Sequence, residues 1–350
     1  MKTTIKQLFI LVIIALVTAC SDDDKPIPDY TTAEALLEEN GFQGSILIRK
    51  GNTDFLRKGF GMADAQENIT NDPGLIYRIG SVTKTFTAMG LAALKRDGLI
   101  DSYDQTISDF DDEFPNGDKI TLRHLLTHYS GIPDYTNAVE ESSIFFTPND
   151  IYDLLKESAE TDGLLFEPGS QFAYSNSNYL ILGLLIEALS DMSYHEYLQS
   201  KVFGPLGLEN TRKGENEIEG ENFAKGYQNG VEVAPYQMQI AYSAGDLIST
   251  IGDLEKWADA MMGDSFISAA EKAEIFAEPH SEDNFFTPGL GWYTIKVDGT
   301  LIYNHGGNID GFTSIIALLP ETNSMIIMLS NQDSWEPINE VLDALIINEF

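Results

Sequence analysis

Tyr77-Arg78-Ile79-Gly80-Ser81-Val82-Thr83-Lys84-Thr85-Phe86-Thr87-Ala88 changes its period part-way along. Leu75 to Ile79 predicts a short strand that ends at Gly80. From Ser81 onward Phe86, Met89, Gly90, Ala93 and Leu94 recur at three- and four-residue spacings and Gly98 supplies a stop, so a helix begins near Ser81. In such a helix Ser81 and Lys84 share a face, and the amine stands beside the hydroxyl. An amine desolvated against apolar neighbours sheds its proton more readily and can accept one from serine. Backbone N–H groups exposed at the helix start can stabilise an oxyanion. The spacing alone leaves a second reading open, in which Ser81 is an N-cap and Lys84 a surface lysine. S-x-x-K arises by chance about once in a chain of this length and composition.

Two further motifs follow. Tyr-x-Asn occurs at Tyr135-Thr136-Asn137, Tyr174-Ser175-Asn176 and Tyr227-Gln228-Asn229. Only Tyr174 sits between a turn, Glu167-Pro168-Gly169-Ser170, and a strongly apolar helix from Asn178 to Leu189. A phenol serves as a base near neutrality only beside a cation such as Lys84, and the Asn176 amide can hold Lys84 and a substrate carbonyl together. The other two copies lie in Gly/Pro/Asn-rich loops and read as structural. His305-Gly306-Gly307 closes a predicted strand, its glycines let a substrate backbone approach, and the N–H of Asn308 is a candidate oxyanion donor. Taken singly, this motif reads more readily as a hairpin turn with an exposed histidine.

Gly44 to Arg49 and the run through Phe60 predict a hairpin about Lys50-Gly51-Asn52-Thr53. Thr121 to Thr127 predicts a short helix, Thr147-Pro148 a helix start, and Leu247 to Met262 a helix over a sheet. Strands return at Trp292 to Val297, Thr300 to Tyr303, Thr313 to Leu319 and Ser324 to Leu329, and a helix from Pro337 to Ile347 ends the chain. Strands at both ends with helices between predict an α+β fold: one antiparallel sheet built from both termini, with an inserted all-helical subdomain. The corresponding division is 35–100 with 245–350 as the α/β part and 101–244 as the mainly helical part.

Lys2 and Lys6 precede an apolar run from Leu8 to Val17, too short to span a bilayer and suited to an export signal over residues 1–20. Val17-Thr18-Ala19-Cys20 resembles a bacterial lipoprotein box, which implies lipidation of Cys20 and anchoring in the cell envelope, at the outer membrane. A plain secretory signal is the other reading. Ser21-Asp22-Asp23-Asp24 resembles the surface-export signal of Bacteroidota lipoproteins and reads equally as part of a solvated tether over 21–34. Cys20 is the single cysteine, so the core holds the fold without disulfides. The formal net charge is −34, which excludes a basic-patch nucleic-acid binder, and 43% hydrophobic residues suffice for a core.

The motifs accumulate into a resemblance. The segment Tyr77 to Ala88 is similar to the nucleophile segment of the class C β-lactamase and DD-peptidase superfamily. His124-Leu125-Leu126-Thr127-His128-Tyr129-Ser130-Gly131-Ile132-Pro133-Asp134-Tyr135 resembles its second recurrent segment. Pro168 to Tyr179, Tyr242-Ser243-Ala244-Gly245-Asp246-Leu247 and His305-Gly306-Gly307 match in the same order, over residues 35 to 348. The resemblance implies a β-lactamase/transpeptidase-like fold with no cofactor. It also implies that Ser81 is acylated, that Lys84 and Tyr174 share proton transfer, that Asn176, His305, Gly306 and Gly307 bind substrate, and that the N–H groups of Ser81 and Asn308 form the oxyanion hole. His305 stands where many β-lactamases carry lysine, and Gly306 lacks the hydroxyl of a Thr or Ser. Both departures point away from β-lactam turnover and towards small peptide, amide or ester substrates, including cell-wall peptides: a D-alanyl-D-alanine carboxypeptidase-like or D-amino-acid peptidase or esterase activity. A catalytically silent binding lipoprotein on the same scaffold is the contrasting reading.

Other chemistries find less support. His124 and His128 have the i,i+4 spacing of zinc ligands, but Leu125 occupies the place of the metalloprotease glutamate and no third ligand is patterned. The G-x-S-x-G of an α/β-hydrolase is absent. Asp109 to Glu113 lacks the glycine and terminal glutamate of a calcium loop.

Overall fold

The computed structural model describes residues 32–350 apart from 140–145, 218–219, 221 and 278–285. The export signal, Cys20 and nearly all of the tether lie outside the described residues.

The labelled elements are α1 (Ala33–Glu39), β1 (Gly44–Lys50), β2 (Thr53–Phe60), α2 (Thr83–Arg96), α3 (Asn176–Ser190), α4 (Ile251–Met262), β3 (Thr287–Pro288), β4 (Tyr293–Val297), β5 (Thr300–Ile309), β6 (Phe312–Leu319), β7 (Ser324–Ser330) and α5 (Ile338–Glu349). The strands form one seven-stranded sheet in the order β3-β4-β5-β6-β7-β1-β2, antiparallel throughout. Both ends of the chain meet where β1 pairs with β7, Ile46 opposite Met328 and Leu47 opposite Ile327.

Alternation along these strands feeds two cores. Ile46, Ile48, Ile326 and Met328 face α1 and α5, joined by Leu37, Leu342 and Leu345. Leu47, Ile327 and Leu329 face the other way, into the larger core with Leu254 and Trp257 of α4 and Phe86 of α2. Both faces are covered, so β1 and β7 are buried at nearly every position. Trp257 stacks on Phe86 at 4.4 Å, and its indole N–H donates to Thr85 Oγ1 at 3.1 Å. That contact fixes α2, whose residues from Thr83 to Leu94 are all buried.

Three expectations need correction. Leu247–Ser249 is a strand paired with Tyr77–Arg78, and the helix begins only at Ile251 after the N-cap Thr250. β5 runs on to Ile309, so His305-Gly306-Gly307 lies within a strand, where β6 supplies the pairing that the sequence motif does not advertise. The inserted segment is mainly helical but carries short strands at Arg212–Lys213, Tyr227–Gln228 and Val231–Glu232.

Candidate active site

Ser81 sits in a 3-10 turn, Gly80–Val82, that leads directly into α2. The turn starts at Gly80 with φ +48°, and a Cβ there would lie 2.9 Å from the Asn308 nitrogen. A side chain is therefore excluded twice, by backbone conformation and by the close approach of β5. Gly307 mirrors it: a Cβ would stand 2.1 Å from the Ile79 carbonyl oxygen and 3.0 Å from the Ser81 nitrogen. The missing side chain at Gly307 admits the protein's own backbone, whereas Gly306 has its nearest neighbour, the Ser314 carbonyl oxygen, at 3.7 Å. Gly307 is thus a packing requirement and only Gly306 leaves space.

The Asp310-Gly311 hairpin pairs Ile309 with Phe312 and then Asn308 with Thr313. Counting from the closing pair, Asn308 falls at a non-hydrogen-bonded position, which turns its N–H away from β6 and toward the Gly80–Ser81 side. Its side chain is tied outward, Nδ2 donating to Ser334 Oγ at 2.9 Å while Oδ1 accepts from the Ser334 N–H at 3.2 Å.

Lys84 is fully buried and its Nζ donates to three acceptors: Ser81 Oγ at 2.9 Å, Asn176 Oδ1 at 2.8 Å and the Ala244 carbonyl at 2.7 Å. Burial outweighs the opposing pull of Asp134 and brings the amine down to about 7. The Tyr174 hydroxyl donates to the same Ser81 Oγ at 2.8 Å. Burial pushes Tyr174 well above the ordinary phenol value, so it keeps its proton at neutral pH. The sequence left the division of the proton between Lys84 and Tyr174 open; here burial brings the amine down to about 7 and pushes the phenol up.

Asn176, first residue of α3, uses Oδ1 for Lys84 and one N–H for Asp134 Oδ2 at 3.0 Å, which leaves its other N–H for a ligand. His305 is buried, and its Nδ1–H donates to the Gly306 carbonyl at 2.6 Å, leaving Nε2 as an acceptor. Burial, helped by Lys84, lowers it to about 3. Where a lysine would hold a permanent charge, this site carries a neutral imidazole.

Ser81, Lys84, Tyr174 and Asn176 are joined by hydrogen bonds, and the backbone at Gly307 and Asn308 packs against Gly80 and Ser81. The rival Tyr-x-Asn copies are elsewhere: Tyr135 is buried with its hydroxyl donating to the Ile240 carbonyl, and the Tyr227 hydroxyl accepts from the Ala65 N–H at 2.8 Å. His124 caps its own short helix, Leu122–Leu126, with Nδ1 accepting from the Thr121 N–H at 3.3 Å. His128 lies beyond that helix at φ +62°, so the i,i+4 face is never formed. Its Nδ1 accepts from the Ser175 N–H at 3.2 Å, and its ring stacks on Tyr174 with centroids 4.4 Å apart.

Sequence reasoning missed Asp134, the Ala244 carbonyl and Tyr293. Asp134 and Ala244 lie inside segments singled out for their resemblance, which was the available signal; a backbone carbonyl carries no side-chain signature. Tyr293 had none, because only the β4–β5 register brings it to His305.

This arrangement can move a serine proton to a buried amine and present two N–H groups to a carbonyl oxygen, which is acyl-transfer chemistry. Together with the two-part α+β fold it defines a serine hydrolase of β-lactamase architecture. The Beta-lactamase family model matches residues 31–348, and the chain belongs to that family. It is 28% identical over 324 residues to penicillin-binding protein 4* of Bacillus subtilis (strain 168), covering 87% of this chain and 71% of that protein. A penicillin binding protein from Bacillus halodurans superposes with a TM-score of 0.77 at 25% identity, over 90% of this chain and 99% of the other. D-amino acid amidase from Ochrobactrum anthropi SV3 gives 0.78 at 25% identity, over 91% and 100%.

Proposed function

We propose that Ser81 is acylated by D-amino-acid amides, esters or short peptides and that the acyl-enzyme is then hydrolysed. The observation that carries this reading is the single oxygen, Ser81 Oγ, held between a titratable amine at 2.9 Å and a phenol at 2.8 Å. When Lys84 is neutral its two N–H groups stay with Asn176 and Ala244, and its lone pair faces Ser81 and takes the proton. The N–H groups of Ser81 and Asn308 receive the oxyanion. Tyr174 gives its own proton to the departing nitrogen or oxygen and is reprotonated from Lys84. Water repeats the sequence in reverse.

The substrate side rests on His305. A neutral imidazole with Nε2 as acceptor suits an N–H or O–H of the substrate and offers no ion pair to a terminal carboxylate. That favours the amidase and esterase end of the activities the family resemblance leaves open, in line with the D-amino acid amidase likeness.

The test uses the full chain in detergent with a fluorophosphonate, followed by peptide mapping and a panel of D-amino-acid amides, short p-nitrophenyl esters, D-Ala-D-Ala peptides and nitrocefin. Label on Ser81, lost in Ser81→Ala, with amides or esters as the best substrates is the expected result. No label, or label indifferent to Ser81→Ala, sinks the acyl-enzyme; nitrocefin as the dominant substrate overturns the substrate assignment.

A further inference from the structure

Tyr174 belongs to two structures at once, the proton relay at Ser81 and an arc of rings. The His128 ring stacks on Tyr174 at 4.4 Å, Phe172 stands edge-on to His128 at 6.0 Å, and Phe286 edge-on to Phe172 at 5.3 Å. Tyr293 follows 4.7 Å from Phe286, and His305 5.0 Å from Tyr293. The arc begins and ends on residues of the site. Phe172 and Phe286 are only partly buried, so the arc keeps an open stretch. The Tyr293 hydroxyl is buried without a hydrogen-bond partner among the described residues. Burial lowers both histidines of the arc, His128 and His305, and among the described residues no side chain of the arc carries a charge to receive a carboxylate.

If Tyr174 returns the proton to the departing atom, the departing group rests against Tyr174, and a group that extends past the buried His128 meets the partly exposed rings of Phe172 and Phe286. We propose that Phe172 and Phe286, backed by the buried Tyr293, form the leaving-group subsite and that it takes an uncharged aromatic amine or alcohol, so that the substrates are aryl amides and aryl esters. This inference rests on the acyl-enzyme reading above. The step balances: the Ser81 Oγ–carbonyl carbon bond forms, the bond from that carbon to the aryl nitrogen or oxygen breaks, and the aryl group leaves with the Tyr174 proton. Lys84, holding the Ser81 proton, restores the phenol. Ring-on-ring packing supplies the selectivity.

The experiment holds the acyl group constant and varies what departs: D-alanyl phenyl ester, D-alanyl methyl ester, D-alanyl p-nitroanilide and D-alanyl-D-alanine, each with kcat/KM on the full chain in detergent. The phenyl-to-methyl ratio is divided by the same ratio for hydroxide. The corrected ratio is expected to exceed one by roughly tenfold or more, and to fall roughly tenfold in Phe172→Leu or Phe286→Leu. Phe172→Tyr and Phe286→Tyr, which keep the ring, are expected to retain it. A corrected ratio near one, faster turnover of D-alanyl-D-alanine than of the aryl compounds, or equal losses on both esters in the leucine variants overturns the assignment. The two readings fail differently: an unlabelled Ser81 removes the acyl-enzyme, whereas a labelled Ser81 without aryl preference removes only the subsite.

Discussion

At the scale of single residues, the pair that decides the chemistry is local and the groups that tune it are not. Ser81 and Lys84 are three residues apart at a helix start, and spacing alone places them together. Asp134 is linked to Lys84 by hydrogen bonds through Asn176, across a packing arrangement that no one-dimensional pattern encodes. Its carboxylate raises the Lys84 value, against the larger lowering by burial. With the amine brought to about 7, acylation is expected to climb as pH rises through that value and to level off above it, since the neutral amine is the active form. Asp134→Asn removes the raising influence, so the rising limb should move to lower pH. A kcat/KM profile whose limb stays put would show that Asp134 positions Asn176 without tuning Lys84. The neutrality of His305 was equally illegible, because it comes from burial beneath its neighbours.

Elements were legible wherever the hydrophobic period was uninterrupted. The β1–β2 hairpin, α2 and β6–β7 follow from apolar spacing, and the capping box of Thr147 and Asp150 marks the helix Pro148–Thr161. β5 was read too short because Gly306 and Gly307 erase the alternation while the backbone ladder to β6 continues. Leu247–Ser249 was read as helix because two apolar residues, Leu247 and Ile248, adjoin a helical run, and only pairing with Tyr77–Arg78 on one side and Arg212–Lys213 on the other makes them a strand. The two glycines of β5 now separate in a testable way. Gly307→Ala drives a methyl to 2.1 Å from the Ile79 carbonyl, so the strand must part from the Ser81 turn. Loss of fluorophosphonate labelling and a Tm lowered by several degrees are expected, from a cost of about 1–3 kcal/mol. Gly306→Ala meets nothing nearer than 3.7 Å and should keep the parent Tm. Equal melting of the two variants would refute the close-approach account.

For the whole molecule, the architecture was legible because strand patterns at both ends bracket a helical middle, and a sheet sharing both termini is what that order requires. The pH response belongs at this scale too. His305 folds to about 3 from an ordinary 6.5, so below about pH 6.5 the unfolded chain binds protons that the folded chain refuses. Its contribution is fully present above that pH and drains away as pH falls toward 3. His305→Gln should flatten the acid side of a Tm-against-pH curve; an unchanged slope would assign acid lability to His128, likewise lowered by burial, and to the carboxylates. We also propose that Cys20 tethers the chain to the cell envelope, and replacing it should release the protein from membranes. Retention after that change would overturn the tether.

The position of β7 between β1 and β6 has a consequence in time. During synthesis β1 and β2 emerge early, and an isolated two-stranded hairpin is marginal in water. Until Ser324–Ser330 has been made, β1 has no bridge to the strand pair that carries Asn308. A growing chain therefore stays without its oxyanion strand in register through most of its translation. Such late closure, with its long-range pairings, leaves a long window of synthesis before any serine is armed.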